Sequence, residues 1–159
     1  YNGMKTVFIP NEVLVPEIKR LIDDGHTITF RVRGLSMRIF LEGSRDKIIL
    51  GPCNSVRIGD VVLAETVMGY YVLHRVIRIE GNLLTLQGDG NIRDVENCIM
   101  DNVVGVALGF YRKGRDVPDM VTGIKWRFYS EIWITLTPVR RYLLAFYERI
   151  WLKLFPCGK

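Results

Sequence analysis

With 159 residues, 48% of them apolar and 25% charged, and a mean hydropathy of +0.13, the chain has one domain's worth of length and enough apolar side chains for a sizeable core. Those values exclude a disordered, collagen-like or coiled-coil protein. The net charge of +5 is unevenly placed: residues 1–109 carry 12 Lys+Arg against 13 Asp+Glu, and residues 110–159 carry 10 against 4. The basic character belongs to the C-terminal third, so an anionic partner is to be sought there.

Cys53, Cys98 and Cys157 are too few and too widely spaced for a zinc site or a disulfide framework. Unpaired thiols in a reducing compartment are the expectation, with a Cys53–Cys98 bridge left open. No basic flank leads into a long apolar run at the N-terminus, and no uncharged stretch of about 18 residues occurs. Neither a leader, an N-terminal anchor nor a simple membrane span is expected. The expected location is cytoplasmic.

In chain order, Asn11 is a candidate N-cap for a helix over 11–24, where Val13, Leu14, Ile18, Leu21 and Ile22 recur at helical spacing until Gly25 stops it. The period then changes to two, and Thr27 to Arg33 reads as a strand that Gly34 interrupts. Further short strands are predicted at Lys47–Leu50, Val61–Glu65, Tyr70–Glu80, Leu83–Gln87 and Val103–Arg112. Gly59-Asp60, Met68-Gly69, Glu80-Gly81-Asn82 and Gly88-Asp89-Gly90-Asn91 supply the turns between them. Residues 70–80 and 83–87 make a hairpin around Gly81-Asn82. With no helix between strands, the expected fold class is a mainly β, antiparallel body with an N-terminal helix and C-terminal helices.

Gly114, Pro118 and Gly123 mark residues 113–123 as a linker, dividing a body of residues 1–112 from a basic, aromatic segment of residues 113–159. Thr137-Pro138 is a suitable N-cap and first-turn pair for a helix reaching about Phe155. Its apolar arc, from Val139 and Tyr142 to Leu154 and Phe155, is wider than one packing neighbour requires, with Arg140, Arg149 and Lys153 within it or at its edge.

Gly34-Leu35-Ser36-Met37 presents a serine where a strand ends at a glycine. A serine hydroxyl is a poor nucleophile without a base to take its proton, and the chain has only two histidines. His26 stands in a helix-to-strand turn, and His74 lies within the strand Tyr71-Val72-Leu73-His74-Arg75-Val76. Asp89 follows at the turn beyond the hairpin, so Ser36, His74 and Asp89 are candidates to converge at one sheet edge. Singly, each has a structural reading: a turn serine, a satisfied strand histidine, a turn-forming aspartate.

Together, Gly34-Leu35-Ser36-Met37, Gly59-Asp60-Val61-Val62-Leu63, Leu73-His74-Arg75-Val76 and Gln87-Gly88-Asp89-Gly90-Asn91 resemble the S24/S26 peptidase superfamily. That group contains type I signal peptidases and self-cleaving LexA-type repressors, and the four motifs cover about residues 28–110. The resemblance implies a LexA/signal-peptidase-like β body, with Ser36 as nucleophile. The His-Arg pair resembles that of the archaeal and endoplasmic-reticulum signal peptidases, which implies His74 as the base where bacterial members use lysine. It implies Asp89 as the acidic residue orienting the imidazole, with Asp94 as a second acidic candidate. The implied activity is a serine endopeptidase that cleaves an extended peptide or leader segment by acyl transfer, with no cofactor and no metal. The chain departs from the family at Ile39, where Ser-Met-x-Pro usually carries proline. That departure supports the alternative, a catalytically inactive peptide-binding or interaction module of the same fold. Neither the family's membrane anchor nor its helix-turn-helix is expected here.

In the C-terminal segment Trp126, Tyr129, Trp133, Tyr142, Tyr147 and Trp151 are interleaved with Lys125, Arg127, Arg140, Arg141, Arg149 and Lys153. Three readings follow: a helical pair packed on the β body with arginines at its rim, peripheral contact of residues 125–155 with the inner face of an anionic membrane, or a homodimer interface. A nucleic-acid partner is not expected, because the apolar arc is too wide for a phosphate-facing surface.

Overall fold

The period-two segments of the sequence pair antiparallel throughout into one curled eight-stranded sheet. The computed structural model describes residues 15–31, 46–91, 93–113 and 115–156. Asn11, the segment from Gly34 to Ile39 that contains Ser36, and Cys157 lie outside the described residues. The strands are β1 (Ile28–Arg31), β2 (Lys47–Gly51), β3 (Val61–Glu65), β4 (Tyr71–Glu80), β5 (Leu83–Gln87), β6 (Glu96–Ile99), β7 (Val103–Tyr111) and β8 (Asp119–Met120). Their spatial order is β1-β2-β7-β3-β4-β5-β6, with β8 also paired to β7. The mainly β fold class with helices at both ends is the one observed.

The opening helix, α1 (Val15–Asp23), buries Val15, Ile18 and Ile22. It ends as the glycine foretold: Gly25 takes φ +89°, its N–H donates to Ile22 O at 2.9 Å, and the His26 N–H reaches Leu21 O at 3.0 Å. This pair of bonds is a Schellman cap, which needs the left-handed conformation that glycine adopts without a steric cost. α1 lies against β7 at Gly105, where a Cβ would stand 2.9 Å from both Ile22 Cδ1 and Gly51 O.

Two strand assignments are added to the expected set. β6 is a four-residue strand at the sheet's edge with two polar residues, too short for alternation to announce it. β8 lies inside the expected linker and adds two residues beside Gly109 and Phe110 of β7. The segment after the body forms α2 (Ile124–Thr135), a 3-10 turn over Thr137–Val139, α3 (Arg140–Phe146), a π-helical turn over Tyr147–Trp151 and the short α4 (Leu152–Leu154). Thr137-Pro138 thus opens a 3-10 turn, and the α-helix follows from Arg140.

Alternation along the strands divides the core in two. One cluster joins Phe30, Ile48, Leu50, Val61, Leu63 and Phe110 to the buried face of α1 and to Trp126 of α2. The other joins Val62, Ala64, Val76, Leu84, Leu86, Cys98 and Val106, with Cys53 packed against it. Cys53 and Cys98 are free thiols, and burial pushes both above their ordinary pKa.

Candidate active site

His74 and Arg75 are neighbours in β4, and neighbouring strand residues point to opposite faces of a sheet. The pair therefore serves two separate environments.

His74 pairs across Val62 of β3, in line with Val72 and Val76 on the face of the second core cluster, and is only 5% exposed. Its Nδ1 stands 2.8 Å from Glu96 Oε2. The sheet register explains the meeting: Glu96 lies opposite Leu86 of β5, and Leu86 lies opposite Val76, one step along the same face from His74. A carboxylate offers no proton, so the imidazole donates through Nδ1–H, which leaves the Nε2 lone pair as the basic site. Burial pushes the His74 pKa below its ordinary 6.5, against the pull of the Glu96 carboxylate and its hydrogen bond and the weaker pull of Asp89. Burial therefore favours the neutral ring.

Arg75 points to the helical side, where its side chain is fully buried. Nε and Nη2 donate to the two carboxylate oxygens of Asp89 at 2.7 and 2.6 Å, a bidentate pair. Nη1 donates to Gly59 O at 2.9 Å and to Ser130 Oγ of α2 at 2.7 Å. The guanidinium also lies 4.7 Å from the Trp126 ring centroid and 5.4 Å from that of Tyr129. Burial works against its charge, but the charge and hydrogen bonds of Asp89, together with Tyr129 and Asp60, hold the Arg75 pKa above its ordinary value.

The expected triad is thus distributed as follows. Ser36 lies outside the described residues. Asp89, expected beside the imidazole, gives both oxygens to Arg75, and the carboxylate hydrogen-bonded to His74 is Glu96. Asp89 still faces His74 closely enough to favour its charged form. Asp94 is exposed. Glu96 escaped the sequence because its strand did; pairing Glu96–Ile99 onto β5 would have aligned it with Val76 and hence with His74.

A second buried arginine adjoins this cluster. Arg140, at the start of α3 and 1% exposed, donates through Nη1 to Gln87 Oε1 at 2.8 Å and through Nη2 to Trp133 O at 3.0 Å, with its guanidinium 5.0 Å from the Trp133 centroid. Of the cations expected at a rim, this one is buried, while Arg149 and Lys153 are exposed. Both arginines fasten the C-terminal helices to the Gln87-Gly88-Asp89 end of β5, whose turn closes by Asn91 N–H donating to Gly88 O at 2.9 Å.

A groove of about 600 Å³ runs between the loop Ser55–Asp60, β7 at Val106–Leu108 and α2 at Trp126–Glu131. Within it Asp60 accepts from the Arg57 N–H at 2.8 Å, and burial raises its carboxyl pKa. His74 and Glu96 are not among the residues that line it. Among the described residues no group of His, Cys, Asp and Glu is arranged to hold a metal ion.

The chain matches no protein-family model, and no curated protein is significantly similar to it.

Proposed function

We propose that the chain is a serine peptidase in which Ser36 is the nucleophile, His74 the general base and Glu96 the carboxylate that orients it. The observation that carries this reading is the 2.8 Å contact between His74 Nδ1 and Glu96 Oε2, which favours the tautomer with Nε2 unprotonated. The four motifs that resemble those of the S24/S26 superfamily support Ser36 as its partner.

In the first step His74 Nε2 takes the Ser36 hydroxyl proton as Oγ bonds to the peptide carbonyl carbon. The imidazolium then returns that proton to the amine nitrogen as the C–N bond breaks, leaving an ester on Ser36 that water hydrolyses with His74 again as base. A backbone N–H donor for the oxyanion contributes about 3 kcal/mol to such a barrier, and the Ser36 N–H is the candidate. Asp89 acts at one remove, by holding Arg75 on the opposite face of the strand that carries His74.

The test is a mixed peptide library incubated with the protein and read by mass spectrometry for new termini. The wild type is expected to generate a restricted set of cleavages that Ser36→Ala and His74→Ala each reduce by at least about a thousandfold. Cleavage unchanged in either variant refutes the assignment. Absence of cleavage with peptide still bound identifies the binding-module alternative.

A further inference from the structure

The inner face of the C-terminal helices is buried and their outer face is exposed. Trp126, Ser130 and Trp133 of α2 and Arg140, Leu144 and Tyr147 beyond it are buried. The opposite side of α2 exposes Ile124 at 73%, Phe128 at 59% and Ile132 at 54%, a stripe at four-residue spacing. From the end of the 3-10 turn through α3 and the π-helical turn, Val139, Tyr142, Phe146 and Ile150 are all exposed at three- and four-residue spacing, followed by Trp151, Leu154 and Phe155. Monomeric proteins rarely leave so many large apolar side chains uncovered on one segment.

The charges among these residues have one predominant sign. Arg127, Arg141, Arg149 and Lys153 are exposed, against Glu131 and Glu148. Arg141 donates through Nη2 to the Tyr142 hydroxyl at 2.6 Å with its guanidinium 4.6 Å from that ring's centroid, so a cation and an aromatic ring are presented together. Aromatic bodies with polar tips, aliphatic side chains between them and flanking cations match the gradient of a bilayer interface, where rings sit at headgroup depth and cations meet lipid phosphates. None of the helices is long and apolar enough to cross a membrane among the described residues, so contact through them is parallel to the surface.

We propose that this outer face, Ile124–Ile132 together with Val139–Phe155, is an interfacial membrane-binding surface selective for anionic lipid. The buried Arg75–Ser130 and Arg140–Gln87 hydrogen bonds hold the helices on the β body, so the body rides on the bilayer as part of the same unit.

The experiment is flotation of the full chain with vesicles of phosphatidylcholine alone or containing about one-third phosphatidylglycerol, beside light scattering to give the oligomeric state. The wild type is expected to float with the anionic vesicles and to be released as salt rises. Arg141→Glu with Arg149→Glu should weaken partitioning by at least about tenfold. Tyr142→Ser with Phe146→Ser should abolish it, with thermal melting unchanged because both side chains are exposed. Failure of the wild type to float with anionic vesicles overturns the proposal, as does flotation of both variants equal to that of the wild type. A stable dimer that Tyr142→Ser with Phe146→Ser converts to monomer, without vesicle binding by either, assigns the face to a second copy instead.

Discussion

A histidine serves as a base near neutral pH when its ring is uncharged and one nitrogen is left with its lone pair. Burial gives His74 the first property and the Nδ1–Glu96 hydrogen bond gives it the second. The two effects oppose one another in the pKa, because Glu96 favours the protonated ring that burial disfavours, and burial is the larger. As the proposed base, His74 would be competent above its lowered pKa and would lose that competence as pH falls through it. The acid limb of kcat/KM for peptide cleavage should have an apparent pKa below 6.5. Glu96→Gln removes the raising influence and frees the ring to adopt the other tautomer. It should move that limb to still lower pH and cut the plateau by about 10²–10⁴-fold, read from pH–rate profiles of the two proteins. His74 itself was legible from its place in a strand and from the Leu73-His74-Arg75-Val76 motif. Glu96 was not, because its relation to His74 is a two-strand register rather than a spacing along the chain.

At the scale of elements, the strand β4 joins the candidate base to the contact that seats α2. Arg75 reaches Asp89 beyond the end of β5, Gly59 before β3 and Ser130 on α2, so one side chain links three separate segments. Asp89→Asn leaves the buried guanidinium without a full counter-charge, and should lower stability by about 3–5 kcal/mol, measured as the change in unfolding free energy in urea. Replacing both partners, Arg75→Met with Asp89→Leu, should restore much of that loss, because it removes the buried charge as well as the pair. Period-two alternation and turn glycines made β1 to β5, β7 and the β4–β5 hairpin readable in advance. β6 and β8 were not, being four and two residues long and held by their neighbours' open edges. The C-terminal helix was readable in outline. What its sequence did not disclose is that Arg140, on the apolar arc, goes inward to Gln87 while Tyr142 and Phe146 stay outside. A helical wheel orders side chains around an axis but does not say which part of a wide apolar arc meets the body.

Across the whole molecule, the uneven charge seen in the sequence acquires a place. The sheet carries His74 and Glu96 on one face and receives α1 and α2 on the other, and the exposed cations Arg127, Arg141, Arg149 and Lys153 lie on the helices attached there. This scaffold is expected to hold His74 as a neutral imidazole with Nδ1 protonated. Long-range ¹H–¹⁵N NMR of the protein labelled at histidine tests it without a substrate, and His26→Gln assigns the two rings. At pH 7 His74 should show a protonated Nδ1 and an unprotonated Nε2, and should titrate below 6.5. An Nε2–H tautomer, or a ring already charged at pH 7, would contradict it.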